Sequence, residues 1–274
     1  MNTRILALAM SCAIALGMAA QYNPFPWDFP QNVKIEAEPG QWVLSCYTFY
    51  PSAVSEQKDL TDEVLIFYST KMEQVGETSS ILSGREIPNA LIIPLDPQAK
   101  AKKGDIVLTW WQEGSGLERA IVTDASNPAQ PKVDYLDMDY GTKERPGFAQ
   151  READQQLKPG SFIVLRDGEW QPGAQIAAFN GSEWESGTLI REQDGKVLVL
   201  GWASHIKAYK KENCRLIPFK EKLKKGDAVY ATFVDTYRDG YTVKKVDEKI
   251  GRVWLDRNGS EEVKSIAEVT KVLK

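Results

Sequence analysis

Short runs of alternating apolar and polar residues, each entered through a glycine, recur along the chain. Gly104-Asp105 leads into Ile106–Trp110, Gly173-Ala174 into Gln175–Phe179, and Gly226-Asp227 into Ala228–Phe233, at spacings of 69 and 53 residues; a weaker copy begins at Gly40, 64 residues before the second. Period-two alternation over four to eight residues predicts half-buried strands, and recurrence at this spacing predicts a repeat array. In the first unit the pattern predicts strands over 42–49, 64–72 and 90–95, and in the second over 106–111, 117–123, 133–136 and 161–165. The third reads as 175–179, 187–192, 196–200 and 214–217, and the fourth as 228–233, 240–246, 251–255 and 262–266. Asp194-Gly195 and Asn258-Gly259 fall between alternating runs, where such pairs signal tight hairpins. Helical periodicity is nearly absent.

The joints repeat as well. Leu91-Ile92-Ile93-Pro94-Leu95 resembles Arg215-Leu216-Ile217-Pro218-Phe219, and the connectors that follow end alike in Lys102-Lys103-Gly104-Asp105 and Lys224-Lys225-Gly226-Asp227. Units of roughly 60 residues are marginal as lone domains, and no long Gly/Ser linker separates them, so they are expected to stack on one another, end to end, as a compact or gently curved rod. The loop from Asp137 to Pro159 is long and polar, which predicts a functional or mobile insertion.

Residues 1–20 place Arg4 before an apolar run from Ile5 to Met18 and small residues at Ala19 and Ala20. That order reads as a cleaved secretory leader, and the run is short for a membrane span. Loss of Arg4 leaves 33 basic against 38 acidic residues, a formal charge of −5. Nothing in this balance supplies the basic stripe that nucleic acid requires. After the leader, residues 21–39 form an arm rich in prolines and rings, including Phe25, Trp27 and Phe29, expected to be extended and to dock on the first unit. Cys46 and Cys214 fall in different units, are too few for a disulfide framework, lack zinc spacing and read as two buried thiols. The organisation is therefore a leader at 1–20, the arm at 21–39, a divergent β-module at 40–98, and modules at 99–166, 167–219 and 220–274.

Gly-Asp-x-Val, an aromatic ending the first strand, and Lys-Val or Arg-Val opening a third strand (Lys132-Val133, Lys196-Val197, Arg252-Val253) resemble the Tudor and Agenet branch of the SH3-like barrels. Asp139-Tyr140-Gly141 is similar to the ending of a Tudor strand. The resemblance covers about 104–272 and implies an all-β fold of tandem small SH3-like barrels, in a secreted bacterial-type repeat protein. It also implies aromatic cages for methylated Lys or Arg, where ring quadrupoles attract a cation. By position the second unit offers Trp111, Tyr135 and Tyr140 with Asp137, the third Phe179, Trp184 and Trp202, and the fourth Phe233, Tyr237 and Trp254 with Asp256. Set against this, small barrels fill their cores with rings.

Other chemistry finds little support. His205 is the chain's single histidine, and Ser204 beside it on a strand would point to the opposite face. Asp134, Asp137 and Asp139 lack the glycine and glutamate of a calcium loop. Glu183 and Glu185 flank Trp184, but a glycosidase pair is defined by a carboxylate separation. No phosphate-cradling glycine loop enters a helix. The expectation is a secreted or periplasmic protein without catalytic activity, cofactor or metal, which uses its modules to bind a peptide, a protein or a cell-envelope polymer. The alternative is a cell-envelope hydrolase or accessory subunit with a site near the 137–159 loop.

Overall fold

The computed structural model describes residues 25–56 and 58–273. The leader at 1–20, Cys12 within it, and the start of the arm lie outside the described residues. The fold is all-β. Its strands are β1 (Trp42–Ser45), β2 (Tyr68–Gln74), β3 (Ser79–Leu82), β4 (Arg85–Pro88) and β5 (Ile92–Pro94), then β6 (Ile106–Thr109), β7 (Glu118–Asp124), β8 (Lys132–Tyr135), β9 (Gln155–Gln156) and β10 (Ile163–Val164). They continue as β11 (Gln175–Phe179), β12 (Trp184–Gln193), β13 (Lys196–Gly201), β14 (Ile206–Lys210) and β15 (Cys214–Ile217), and end with β16 (Ala228–Phe233), β17 (Thr236–Asp247), β18 (Arg252–Arg257), β19 (Ser260–Ser265) and β20 (Val269–Thr270). Two short helices, α1 (Tyr50–Ser55) and α2 (Phe148–Arg151), interrupt them.

Every unit of five strands has one topology. The fifth strand lies beside the first, and the first to fourth follow in chain order, all antiparallel. In each, the second strand carries a bulge, after Met72, Val122, Leu189 and Val243 respectively. A bulge bends its strand and raises the local twist, so each sheet curls where the second strand passes from one neighbour to the other.

The recurring glycine explains the bulge. Gly40, Gly104, Gly173 and Gly226 all sit at φ between 84° and 91°, a conformation costly for any residue with a Cβ. In that conformation each N–H donates, at 2.8 Å, to the carbonyl of the residue that opens the bulge, and that residue's N–H donates back to the residue after the glycine at 2.8–2.9 Å. The aspartates of the Gly-Asp pairs close the same turn, Asp105 Oδ2 accepting from the Lys102 N–H and Asp227 Oδ2 from the Lys224 N–H. Gln41 does this in the first unit through Oε1. The sequence repeat is thus one local knot made four times.

The units cluster around shared faces and do not stack end to end, which corrects the rod expected from the sequence. Trp42 of the first meets Trp110 of the second with ring centroids 5.1 Å apart. A Cβ on Gly173 would touch Leu108 at 3.0 Å, and one on Gly251 would come within 2.7 Å of Leu136, so the third and fourth units both abut the second. A single bridge, Glu185 to Thr236, joins the third and fourth sheets. The second unit therefore touches all three others, because its apolar strands β6 and β7 are buried on both faces, with Ile106 and Leu108 in the inter-unit core and Val107, Ala120 and Val122 in its own.

The arm docks on the first unit, as expected, and also on the third, which the sequence does not predict. Phe25, Trp27 and Phe29 are buried. Trp27 Nε1 donates to the Ile206 carbonyl at 2.7 Å, and Asp28 pairs with Lys196. Farther along, the Val33 carbonyl accepts from Asn89 Nδ2 of the first unit. The arm is a strap across two units. The loop at 137–159 is built up by α2 and β9, with Phe148 edge-on to Trp111 at 4.9 Å. Cys46 and Cys214 are both free and buried, and burial pushes their thiols up to about 12 and about 11.

Candidate functional site

The sequence-derived rings do not converge on one cavity per unit. Tyr135 is fully buried, its hydroxyl donating to the Trp110 carbonyl and accepting from the Gln112 N–H. Tyr237 is buried as well and accepts from Gln175 Nε2 at 3.0 Å. Trp111 is half-buried beneath Phe148. Tyr140 leaves its own unit to meet Trp254 of the fourth, centroids 6.0 Å apart, with Arg252 over its face. Phe179 and Trp184 lie together at 5.3 Å. Phe233 is exposed near Arg257, and Asp256 pairs with Lys244 at 3.3 Å. Of the eleven residues, Trp202 and Asp137 line concave surface.

That surface is a groove of three adjoining depressions over the third unit. The outer, about 470 Å³, runs between the strap at Pro26–Asp28 and Tyr209. It shares Thr61, Glu185, Lys207 and Tyr209 with a middle depression of about 240 Å³, which shares Ser186, Gly201 and Trp202 with an inner one of about 290 Å³. Trp202, at 60% exposure, stands between the middle and inner parts, and Val234, at 57%, rims the inner part.

Local backbone chemistry places these rims. Gly201 ends β13 opposite Gly187 on β12. A Cβ on Gly187 would fall 2.3 Å from Val199 Cγ1 and 2.8 Å from the Leu200 carbonyl oxygen, so only glycine lets the strands cross that closely. The chain then turns through Ala203 and Ser204 at φ 53° and 60°, which throws Trp202 outward, and the Ser204 carbonyl accepts from the Leu65 N–H of the first unit at 2.9 Å. Val234 has φ 60°, an outlier for a β-branched residue. Such strain persists only where surrounding structure enforces it.

The inner depression sits where the second, third and fourth units meet. Arg119, its side chain 4% exposed, donates through Nε and Nη2 to Asp137, 18% exposed, and through Nη1 to Gln175 Oε1 at 2.7 Å. Gln175 Nε2 donates onward to Ser186 at 2.8 Å and to Tyr237. The guanidinium therefore ties the second unit to the third, and Gln175 carries the network on to Tyr237 of the fourth. Beside it, Glu118 Oε2 is buried without a hydrogen-bond partner among the described residues. Burial pushes the Glu118 carboxyl up to about 8, the charge of Asp137 adding to the rise and Arg119 opposing it. In the middle depression burial works against ionisation of Glu185, yet hydrogen bonds from Lys207, Tyr209 and Asn180 outweigh it and hold the carboxyl below its usual range. The sequence reading missed Glu118, Arg119, Gln175 and Glu268. A charged pair inside the apolar run from Leu117 to Val122 was the available signal, because a buried charge needs a partner.

The Glu118 shift sets a pH dependence. The folded chain holds this proton up to about 8, whereas the unfolded carboxyl, near 4.5, loses it earlier. The folded state binds more protons across that window, so stability falls as pH rises from about 4.5 to about 8 and then levels off. Glu118→Gln is expected to raise the melting temperature at pH 8 relative to the parent, with the difference vanishing near pH 4; thermal denaturation across pH checks it.

No protein-family description matches the chain, and no curated protein is significantly similar to it. No helix among the described residues is long and apolar enough to cross a membrane.

Proposed function

We propose that this is a non-enzymatic binding protein, exported behind its leader, which holds one extended chain, a peptide or a polymer, along the groove over the third unit. The carrying observation is the continuity of three depressions past an outward-facing tryptophan. A small-molecule site is a single enclosed pocket, while an open furrow with a flat ring along it suits successive residues of a chain. Tudor-like barrels are the reading that best fits the units, supported by the shared strand order and the bulge in every second strand, which lets a short sheet curl on itself. In this arrangement the ligand surface lies between modules and not inside each one.

The test is Trp202→Ala. The ring is exposed, so the melting temperature is expected to stay within about 2 °C of the parent. Binding to solubilised cell-envelope fragments or to an immobilised peptide array is expected to fall about tenfold, as for an interfacial ring. Unchanged binding would remove the groove from consideration. Turnover of the bound chain, abolished by Glu118→Gln, would replace this reading with the hydrolase.

A further inference from the structure

We infer that the chain held in this groove is a basic peptide segment, whose Lys or Arg side chains meet the groove's carboxylates, several of which form no ion pair within the protein; this rests on the groove reading above. Asp28, Asp62, Glu185 and Asp235 line the outer and middle depressions, and Glu118, Asp137 and Glu268 the inner one, against Lys207 and Arg119. Both cations are already engaged, Lys207 with Glu185 at 2.8 Å and Arg119 with Asp137. Asp28 has Lys196. Asp62 and Asp235 form no ion pair among the described residues, and Glu268 forms none beyond the hydrogen bonds it accepts from the Thr232 hydroxyl and the Ser265 N–H, so the groove carries a surplus of negative charge along its length.

A surplus of acids on a surface is ordinarily solvated and means little. Here one of them is not solvated. Glu118 has a buried oxygen with neither a protein donor nor an ion pair, next to a second carboxylate whose charge opposes its own ionisation. A buried acceptor without a partner is costly, and an incoming N–H donor that carries positive charge satisfies it and lets Glu118 release the proton that burial and the charge of Asp137 make it hold. Arg119 cannot serve this purpose, because its donors are turned to Asp137 and Gln175. Of the remaining neighbours of the site, Ser186, Thr188 and Gln175 are neutral and Glu268 is acidic. A neutral chain would leave the charge unmatched, and an acidic one would be repelled. Trp202 adds an exposed ring beside the furrow, on which the stem of a long basic side chain can lie.

Calorimetric titration of the full chain with nine-residue peptides tests this, using lysine/serine, arginine/serine, glutamate/serine and serine/glycine sequences and a chitosan hexamer. The lysine and arginine peptides are expected to bind and the acidic and neutral ones not. Raising salt from about 50 to about 500 mM is expected to weaken binding at least tenfold. The double variant Glu118→Gln/Asp235→Asn is expected to weaken it at least tenfold with no loss of melting temperature. Equal binding of neutral or acidic peptides, indifference to salt, or an unaffected double variant would overturn the inference. Binding of chitosan without peptides would assign the cation to a polymer and sink the peptide. Trp202-dependent binding of a neutral chain alone would sink the basic ligand and leave the groove standing, whereas no binding by any chain removes both.

Discussion

Arg119→Ala is expected to destabilise the protein by about 3 kcal/mol, lowering the melting temperature by about 6–12 °C. The loss comes from what is left behind. Asp137 keeps its charge with its side chain mostly covered, and Gln175 Oε1 loses its donor at the junction of three units. Asp137 retains 18% of its side-chain surface and can recover some water, which holds the cost to the lower end for a broken covered pair. The reverse deletion, Asp137→Ala, strands a guanidinium that is only 4% exposed and is expected to cost at least as much. Replacing both, as Arg119→Leu/Asp137→Leu, is expected to cost less than either single change, since no uncompensated charge remains. Denaturant titration of the four proteins reads the order directly. A double variant as unstable as the sum of the singles would show that the two side chains act independently, with no coupling and no stranded-charge cost between them.

Trp27→Ala is expected to cost about 3–5 kcal/mol and to free the strap. The indole is buried, stacks edge-on to Phe25 at 5.1 Å, and donates to the Ile206 carbonyl. Truncation removes the largest anchor and leaves that carbonyl unpaired. The same residue walls the outer depression, so stability and binding should fall together. Hydrogen exchange with peptide mapping is the measurement: amides around residues 25–33 and in β14 should lose protection while β6, β7 and β16 keep theirs. Uniform loss of protection would mean that the strap is inseparable from the core.

The local parts of this fold were legible because their causes are local. Gln175–Phe179 and Ala228–Phe233 have the bounds expected from alternation, and the Gly-Asp pairs sit in one turn each time, since a positive φ and a short carboxylate act over three residues. The hairpins at Asp194-Gly195 and Asn258-Gly259 both have positive φ, as their chemistry demands. The missed strands are those whose pattern is weak. Arg85–Pro88 shows one inward Ile87, Ile206–Lys210 carries two lysines, and the hairpin at Ser83-Gly84 uses a residue uncommon there. The candidate site was hardly legible. Alternation says which side of a strand a ring takes, but not what lies across from that side: Tyr135 meets a core, and Trp202 meets solvent. The groove joins residues as far apart as Asp28 and Tyr209, and the unit order along the chain does not specify which units touch.

The strap has a consequence for the order in which this protein can be assembled. Trp27 is among the earliest described residues to be synthesised, and the carbonyl that receives it lies 179 positions later. Throughout that interval Trp27 lacks the carbonyl that receives its indole N–H. Closure therefore waits for β14 to emerge, which makes this a slow, late step with an apolar indole unanchored until then. A nascent chain halted before residue 206 should accordingly be held by chaperones, and one extended past the third unit should let them go.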